Sequence, residues 1–138
     1  MQTFLPVPNF MGTAKILDWR RLGRQRTESR MLLDGLLSKT KNGWRHHPAN
    51  KMWIGFTDAL ASYMNEMILE WKRRGYNNTM ILVDLPEIIT YPPWLGNNKY
   101  HSAYRAILLA KDYDYYSQFG WTERPSISVW PYPIDRKS

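Results

Sequence analysis

The sequence contains no cysteine, which excludes three kinds of site at once. Without cysteine the chain has no disulfide framework, no thiolate zinc site and no thiol nucleophile. Its apolar runs, Met80–Val83 and Ile107–Ala110, are far shorter than the roughly 20 residues of a membrane-spanning helix. The first residues also lack the basic and then apolar order of a secretory signal. We therefore expect no membrane contact. We expect the protein to lie in the cytoplasm, where it would associate with the nucleoid, or in the host cytoplasm if it is viral.

Patterns of metal ligands are absent as well. The three histidines, His46, His47 and His101, are accompanied only by scattered acidic residues, without the spacing of a ligand set. We expect no metal and no other cofactor. Any covalent chemistry must then use a nitrogen or oxygen nucleophile of the chain itself.

Acidic residues are few relative to basic ones. Twelve Asp and Glu against 19 Lys and Arg give a formal charge of +7, which favours a polyanionic partner. Nucleic acid is a better candidate than an anionic membrane, because no basic amphipathic helix is left with a free apolar face. Seven Trp and nine Tyr in 138 residues leave aromatic rings available for base stacking. A chain of this length forms one domain, residues 1–138, which we expect to be a monomer.

The segment Asp18–Lys39 divides into an apolar half and a polar half. Its second half has an apolar stripe at helical spacing, whereas Glu28 is the one acid among the cations from Arg20 to Arg30. A solvated helix face with an Arg24–Glu28 pair is the ordinary interpretation. Clustered arginines repel one another unless an anion lies across them, and a phosphate backbone is the usual anion. The cations of this half are Arg20, Arg21, Arg24, Arg26 and Arg30.

The periodicity predicts an all-α fold with about three main helices, long irregular connections and an extended N-terminal arm. Proline and glycine mark the connections, and Asn9 and Asp18 are candidate N-caps. The predicted elements are an arm over 1–8, a short helix to about Leu17, a helix from Trp19 to near Lys39, a loop over Thr40–Asn50, a core helix over Pro48–Arg74 that Gly75 ends, an irregular connection over 76–99 without a sheet, a helix over His101–Phe119 and an extended tail over Trp121–Ser138.

Further candidate contacts to DNA lie outside the arginine helix. The loop before the core helix carries functional-looking side chains, and the third helix ends in a cluster of aromatic residues. A loop histidine is usually a structural hydrogen-bonding residue, and an aromatic cluster is usually core, so we expect that cluster to be part core and part DNA-facing wall. These candidates are Arg45, His46, His47, Lys111, Tyr115 and Tyr116.

Four short motifs resemble the pyrimidine-dimer DNA glycosylase family, the phage endonuclease V type of ultraviolet repair. They are LDWRRLGRQRTE at 17–28, GWRHHPA at 43–49, EWKRRGY at 70–76 and YYSQFG at 115–120. The resemblance covers most of the chain, in the same order and at the same total length. It implies a mainly helical domain and, as partner, double-stranded DNA that contains a lesion.

The resemblance also implies a mechanism. In the family the N-terminal α-amine attacks the sugar carbon C1′ of a damaged nucleotide, displaces the base and forms an imine, and a glutamate on the first long helix assists β-elimination. That glutamate corresponds to Glu28, and His47 matches the family's loop histidine. Removal of an initiator methionine requires a small second residue, and Gln2 is bulky, so the amine belongs to Met1.

The physical chemistry of these groups agrees with that mechanism. An α-amine has a reference pKa near 7.7–8.0 against about 10.4 for lysine, so its neutral fraction near pH 7.5 is roughly a few hundred times larger. We expect Arg24, Arg26 and Arg30 to surround Glu28 and keep it ionised, so that it stabilises positive charge on the sugar.

Two other functions remain open at this point. One is the same chemistry on another modified base or on plain abasic sites. The other is non-catalytic DNA binding through the same basic face, which composition alone does not separate from catalysis.

Overall fold

The computed structural model describes residues 2–38 and 48–127. Four predicted site residues, Met1, Arg45, His46 and His47, lie outside the described residues, as do the predicted end of the second helix at Lys39 and the tail from residue 128 onward. The described part of the chain is helical and has no strand, which confirms the all-α prediction. Its helices are α1 (Phe10–Ile16), α2 (Trp19–Leu37), α3 (Pro48–Lys51), α4 (Thr57–Arg73), α5 (Asn98–Lys111) and α6 (Tyr113–Tyr116), and a 3-10 turn over Ser117–Phe119 follows.

The two predicted N-caps of the first helices are confirmed. The Asn9 side chain accepts a hydrogen bond from the Gly12 backbone N–H at 2.7 Å, and the Asp18 side chain accepts one from the Arg21 N–H at 3.3 Å. Each cap satisfies an N–H group that a helix leaves unpaired at its start. Asp18 thereby fixes the point from which the polar half of α2 projects.

The prediction of one continuous helix over Pro48–Arg74 is wrong. The helix is interrupted between α3 and α4, where Gly55 has a φ of 84°, a backbone conformation that favours glycine. Trp53, next to the break, is fully buried in the core. The indole N–H of Trp53 donates to the Thr3 hydroxyl at 3.1 Å. This contact with the arm joins residues far apart in sequence, so local periodicity could not indicate it.

The prediction of one helix over His101–Phe119 is also wrong. α5 begins earlier, at Asn98, and Asp112 ends it with non-helical dihedral angles, φ −154° and ψ 77°. The Asp112 side chain then accepts a hydrogen bond from the Tyr115 N–H at 3.3 Å, so it caps α6. The break changes the direction in which the tyrosines of α6 project.

The core forms where α2 packs on α4, and the arm covers one end of it. Gly23 allows the close approach of the two helices, because a Cβ at this position would lie 3.0 Å from the Trp71 ring. Phe4 and Leu5 of the predicted arm are buried in the same core. In residues 2–38 and 48–127, no helix is long and apolar enough to cross a membrane.

His101 of α5 also fastens the arm. Its Nδ1 lies 2.7 Å from the Leu5 carbonyl, and its Nε2 accepts a hydrogen bond from the Gly96 N–H at 2.8 Å. With Nε2 accepting, Nδ1 carries the proton, and the ring is the neutral tautomer. Burial lowers the pKa of His101; the hydrogen bond to the Leu5 carbonyl partly opposes this, and the charge of Arg105 lowers the pKa further.

We expect this histidine to make stability depend on pH. Because the pKa is lower in the folded state than the unfolded value near 6.5, its contribution is fully present above about pH 6.5 and is lost as the pH falls towards the folded pKa. Urea unfolding at about pH 7.5 and 5.5 should show a larger loss of unfolding free energy in the wild type than in His101→Gln. An identical loss in both proteins would contradict this role.

Candidate active site

Glu28 lines a cavity of about 340 Å³ between the arm, α2 and the end of α5. Residues three and four apart on a helix share a face, which places Arg21, Arg24 and Gln25 beside Glu28 on α2. The cavity is open to solvent and carries both a carboxylate and cations. Its lining residues are Gln2, Phe4, Arg21, Arg24, Gln25, Glu28 and Lys111.

Gln25 is the residue of this site that sequence reasoning missed. It is fully buried, and its side-chain nitrogen donates to the Gln2 carbonyl at 2.7 Å and to the Glu28 carboxylate at 3.2 Å. The two oxygens that share this donor are therefore less than about 6 Å apart. The one available signal was a polar residue placed three positions before Glu28, on the same helical face.

The electrostatic surroundings of Glu28 differ from the prediction. Burial raises the pKa of its carboxyl group, and the positive charges of Arg24 and Lys111 partly oppose that rise. The prediction that Arg26 and Arg30 also surround Glu28 is wrong. Arg26 lies 4.6 Å from the Trp71 ring and donates to the Asn78 side chain at 2.7 Å, and Arg30 pairs with Asp34 at 3.2 Å.

A larger cavity of about 710 Å³ adjoins the Glu28 cavity. Arg21, Arg24 and Lys111 line both cavities, so cations continue from one to the other. The arrangement suits a chain of phosphate groups, which guanidinium and ammonium groups bind. The structure thus brings together Arg20, Arg21, Arg24, Lys111 and Tyr115 of the predicted residues, and it adds Asp18, Trp19, Arg74, Tyr76 and Asp112.

Arg74 contributes to that cavity while holding two helices together. Its guanidinium pairs with Glu70 at 2.9 Å and donates to three backbone carbonyls at the end of α1, those of Ala14, Lys15 and Leu17. The sequence prediction named Arg74 only as the last residue of the core helix. Its contacts to α1 are long-range and have no signal in the local sequence.

The two tyrosines predicted to contact DNA have different roles. The Tyr115 hydroxyl donates to the Ile16 carbonyl at 2.9 Å, and its side chain lines the larger cavity. Tyr116 is fully buried. Its hydroxyl donates to the Asp18 carboxylate and accepts from the Asp18 N–H at 3.1 Å. The prediction that Tyr116 contacts DNA is therefore wrong, because the side chain is buried and its hydroxyl is hydrogen-bonded to Asp18, the N-cap of α2.

A third cavity, of about 470 Å³, lies on the other side of Arg20 and Arg24. Trp19 leaves 54% of its surface exposed here, with the Arg20 guanidinium 5.4 Å from its ring. Exposed indole rings next to arginines are typical of surfaces on which bases stack. The positive surface thus extends along α2 beyond the two cavities.

Comparison with known proteins gives one match. A family model described as pyrimidine dimer DNA glycosylase matches residues 1–84, more than half of the 138-residue chain. The matched part includes Glu28, Gln25 and the arginines of α2, but not Lys111 or Tyr115. No curated protein and no solved structure matches the chain.

Proposed function

This chain belongs to the pyrimidine dimer DNA glycosylase family, and from that membership we propose that it removes damaged pyrimidines from DNA and cleaves the resulting abasic site. The nucleophile is the amino-terminal α-amine, and Glu28 is the acid–base group. Lesion-containing duplex DNA is the substrate. Extrusion of a nucleotide from the helix gives the amine access to the sugar.

The shared donor of Gln25 is the observation that supports this proposal. It keeps the Gln2 carbonyl close to the Glu28 carboxylate. Consecutive α-carbons are 3.8 Å apart and the N–Cα bond is 1.46 Å, so the amine of residue 1 is within about 5 Å of the Gln2 α-carbon. The chemistry needs an amine and a carboxylate; the cavity holds the Glu28 carboxylate together with Gln2, the residue that the amine of residue 1 precedes.

The first step replaces the base with the enzyme. The amine nitrogen forms a bond to C1′ while the C1′–N bond to the base breaks, and the base leaves with the bonding pair. The nitrogen loses one proton, the sugar ring opens, and O4′ becomes a hydroxyl group as a protonated imine forms at C1′. A carboxylate beside this carbon stabilises the positive charge that develops.

The second step breaks the strand. The imine makes the C2′ proton acidic, the Glu28 carboxylate accepts it, and the C3′–O bond breaks with the phosphate as leaving group. Water then hydrolyses the imine and releases the amine. Because burial raises the pKa of Glu28, its carboxylate is a stronger base than an exposed glutamate, which suits proton abstraction near neutral pH.

Borohydride trapping tests this function. The wild-type protein is incubated with duplexes that carry a pyrimidine dimer, another modified pyrimidine, a plain abasic site or no lesion, and borohydride reduces any imine to a stable secondary amine. We expect a covalent adduct with lesion DNA, located by mass spectrometry on the first peptide. Acetylation of the α-amine should abolish both the adduct and cleavage.

The same panel separates the alternatives. If an adduct forms only with the abasic site or only with another modified base, the proposed chemistry is correct but the substrate is a different one. If the protein binds all duplexes but forms no adduct and cleaves none of them, it is a non-catalytic DNA-binding protein, and the proposal is wrong.

Arg24 and Arg26 should differ in their contribution to DNA binding. Both are among the cations that the sequence predicted, but Arg24 is exposed and lines all three cavities, whereas Arg26 bonds to Asn78 and packs on Trp71. Arg24→Ala should therefore reduce the slope of log K against log salt by about one unit, and Arg26→Ala should leave it nearly unchanged. Fluorescence anisotropy on an undamaged duplex at several salt concentrations measures both slopes. Equal losses of slope would contradict this assignment.

A further inference from the structure

The side-chain amide of Gln25 joins the arm, α2 and α4. Its nitrogen makes the two bonds to Gln2 and Glu28 described above, and its oxygen accepts a hydrogen bond from the Phe4 N–H at 3.1 Å. The Tyr63 hydroxyl lies 2.6 Å from the same oxygen and 2.8 Å from the Phe4 carbonyl, so its single proton is shared between them. Four polar partners use the full hydrogen-bonding capacity of the amide.

These partners fix the orientation of the amide. If the amide were rotated by half a turn, its N–H groups would face the Phe4 N–H, and its oxygen would face the Gln2 carbonyl and the Glu28 carboxylate. Donors would then meet donors and acceptors would meet acceptors, inside a fully buried site. The nitrogen of Gln25 is therefore held towards the cavity.

A glutamine that only anchored the arm would need just the partners in the arm and α4. The fourth partner is instead the carboxylate that lines the cavity, and the shortest bond from the nitrogen goes to the residue that follows the amino terminus. One buried atom thus bonds both to the Glu28 carboxylate and to the backbone of the residue next to the amino terminus. Its three partner elements restrict its own movement.

We propose that Gln25 is a positioning residue that sets the distance between the amino-terminal amine and the Glu28 carboxylate. The inference rests on the proposed function, and it assigns Gln25 no direct contact with the substrate. A displacement of about 1 Å in a reacting group can lower a rate by about 10²-fold. Loss of the shared donor should therefore affect catalysis more than DNA binding.

Gln25→Glu is the test variant, because it keeps the shape of the side chain and replaces the shared donor with an oxygen. We expect the rates of imine trapping and strand cleavage to fall by roughly 10- to 100-fold, with the Kd for DNA nearly unchanged. Tyr63→Phe is the matched control. It removes a hydroxyl from the same buried network but leaves the donor to Gln2 and Glu28, and its rates should stay within about threefold of wild type.

The pH–rate profile separates positioning from a general loss of structure. Among the described residues, the ionisable groups that face Glu28 are Arg24 on α2, Tyr63 on α4 and Lys111 on α5. In Gln25→Glu the Glu28 carboxylate loses a donor and gains a neighbouring carboxylate, so its pKa should rise further. The acidic limb of the profile should move to higher pH in this variant and stay in place in Tyr63→Phe.

Two results would overturn the inference. One is that Gln25→Glu cleaves DNA at the wild-type rate. The other is that Tyr63→Phe loses as much rate as Gln25→Glu and the acidic limb of the profile moves in neither variant. If Gln25→Glu does not fold, Gln25→Asn retains an amide that is too short to reach both partners and should show the same loss of rate. If the wild type forms no adduct, the proposed function fails. Titration of the Glu28 carboxyl carbon by NMR in wild type and Gln25→Glu still tests Gln25, since an unchanged pKa would overturn its role.

Discussion

Glu28→Gln is expected to lower the rate of strand cleavage by roughly 10²- to 10⁴-fold, the usual contribution of a positioned general acid or base. Glutamine cannot accept the C2′ proton, and it carries no charge to stabilise the positive imine. Its side-chain oxygen can still accept the hydrogen bond from Gln25, so the cavity should keep its shape. DNA binding should be unchanged or slightly stronger, because a negative charge is removed from a positive surface.

Cleavage of a lesion duplex and of a preformed abasic site, measured side by side, would show which step depends on the carboxylate. A loss on both substrates places Glu28 in elimination, and a loss on the lesion alone places it in base removal. Glu66→Gln is the matched control, because Glu66 lies on α4 and lines a different cavity, with Phe10 and Tyr91. Cleavage by Glu28→Gln within a few-fold of wild type would contradict the mechanism.

The same variant should not be less stable than the wild type near neutral pH. The folded pKa of Glu28 is raised by burial, so ionisation above the unfolded value favours the unfolded chain and costs stability. Glutamine removes this cost. A loss of activity without a loss of stability would separate the chemical role of Glu28 from any contribution to folding.

Trp53→Ala is expected to reduce the free energy of unfolding by about 3–5 kcal/mol. The indole is fully buried, its ring lies 5.1 Å from that of Trp94 and 6.1 Å from that of Tyr63, and its N–H donates to the Thr3 hydroxyl. Truncation would leave a large cavity and remove the hydrogen bond between the indole and the Thr3 hydroxyl, where the arm meets the core.

Chemical denaturation of Trp53→Ala and of Ile54→Ala provides the comparison. Ile54 is the next residue, but 59% of its surface is exposed, so its truncation should change the unfolding free energy by about 0.5 kcal/mol or less. A cost below about 1 kcal/mol for Trp53→Ala would contradict the packing described here. Because Trp53 holds the arm, we also expect Trp53→Ala to lower cleavage at temperatures where the variant remains folded.

Local sequence was sufficient where the stabilising contacts are local. The caps at Asn9 and Asp18 were predictable because each bonds an N–H three residues later, and Gly75, with a φ of 87°, ends the helix before it as predicted. The breaks at Gly55 and Asp112 were not predictable from periodicity. The apolar spacing continues through both. The first break accompanies a long-range contact with the arm, whereas Asp112 caps α6 through a local bond to the Tyr115 N–H, a signal that the periodicity obscured.

The sequence by itself determined that the chain is helical, strongly basic and without thiol chemistry, and that Glu28 lies among cations on one helix. Helical spacing puts Arg24 and Gln25 on the face of Glu28, and only the tertiary structure decided that Lys111 also faces this carboxylate and that Arg26 turns to Asn78 instead. The physical reason is that the directions of these side chains depend on where the arm, α4 and α5 pack against α2. Those contacts join residues distant in sequence, and no pattern within α2 encodes them.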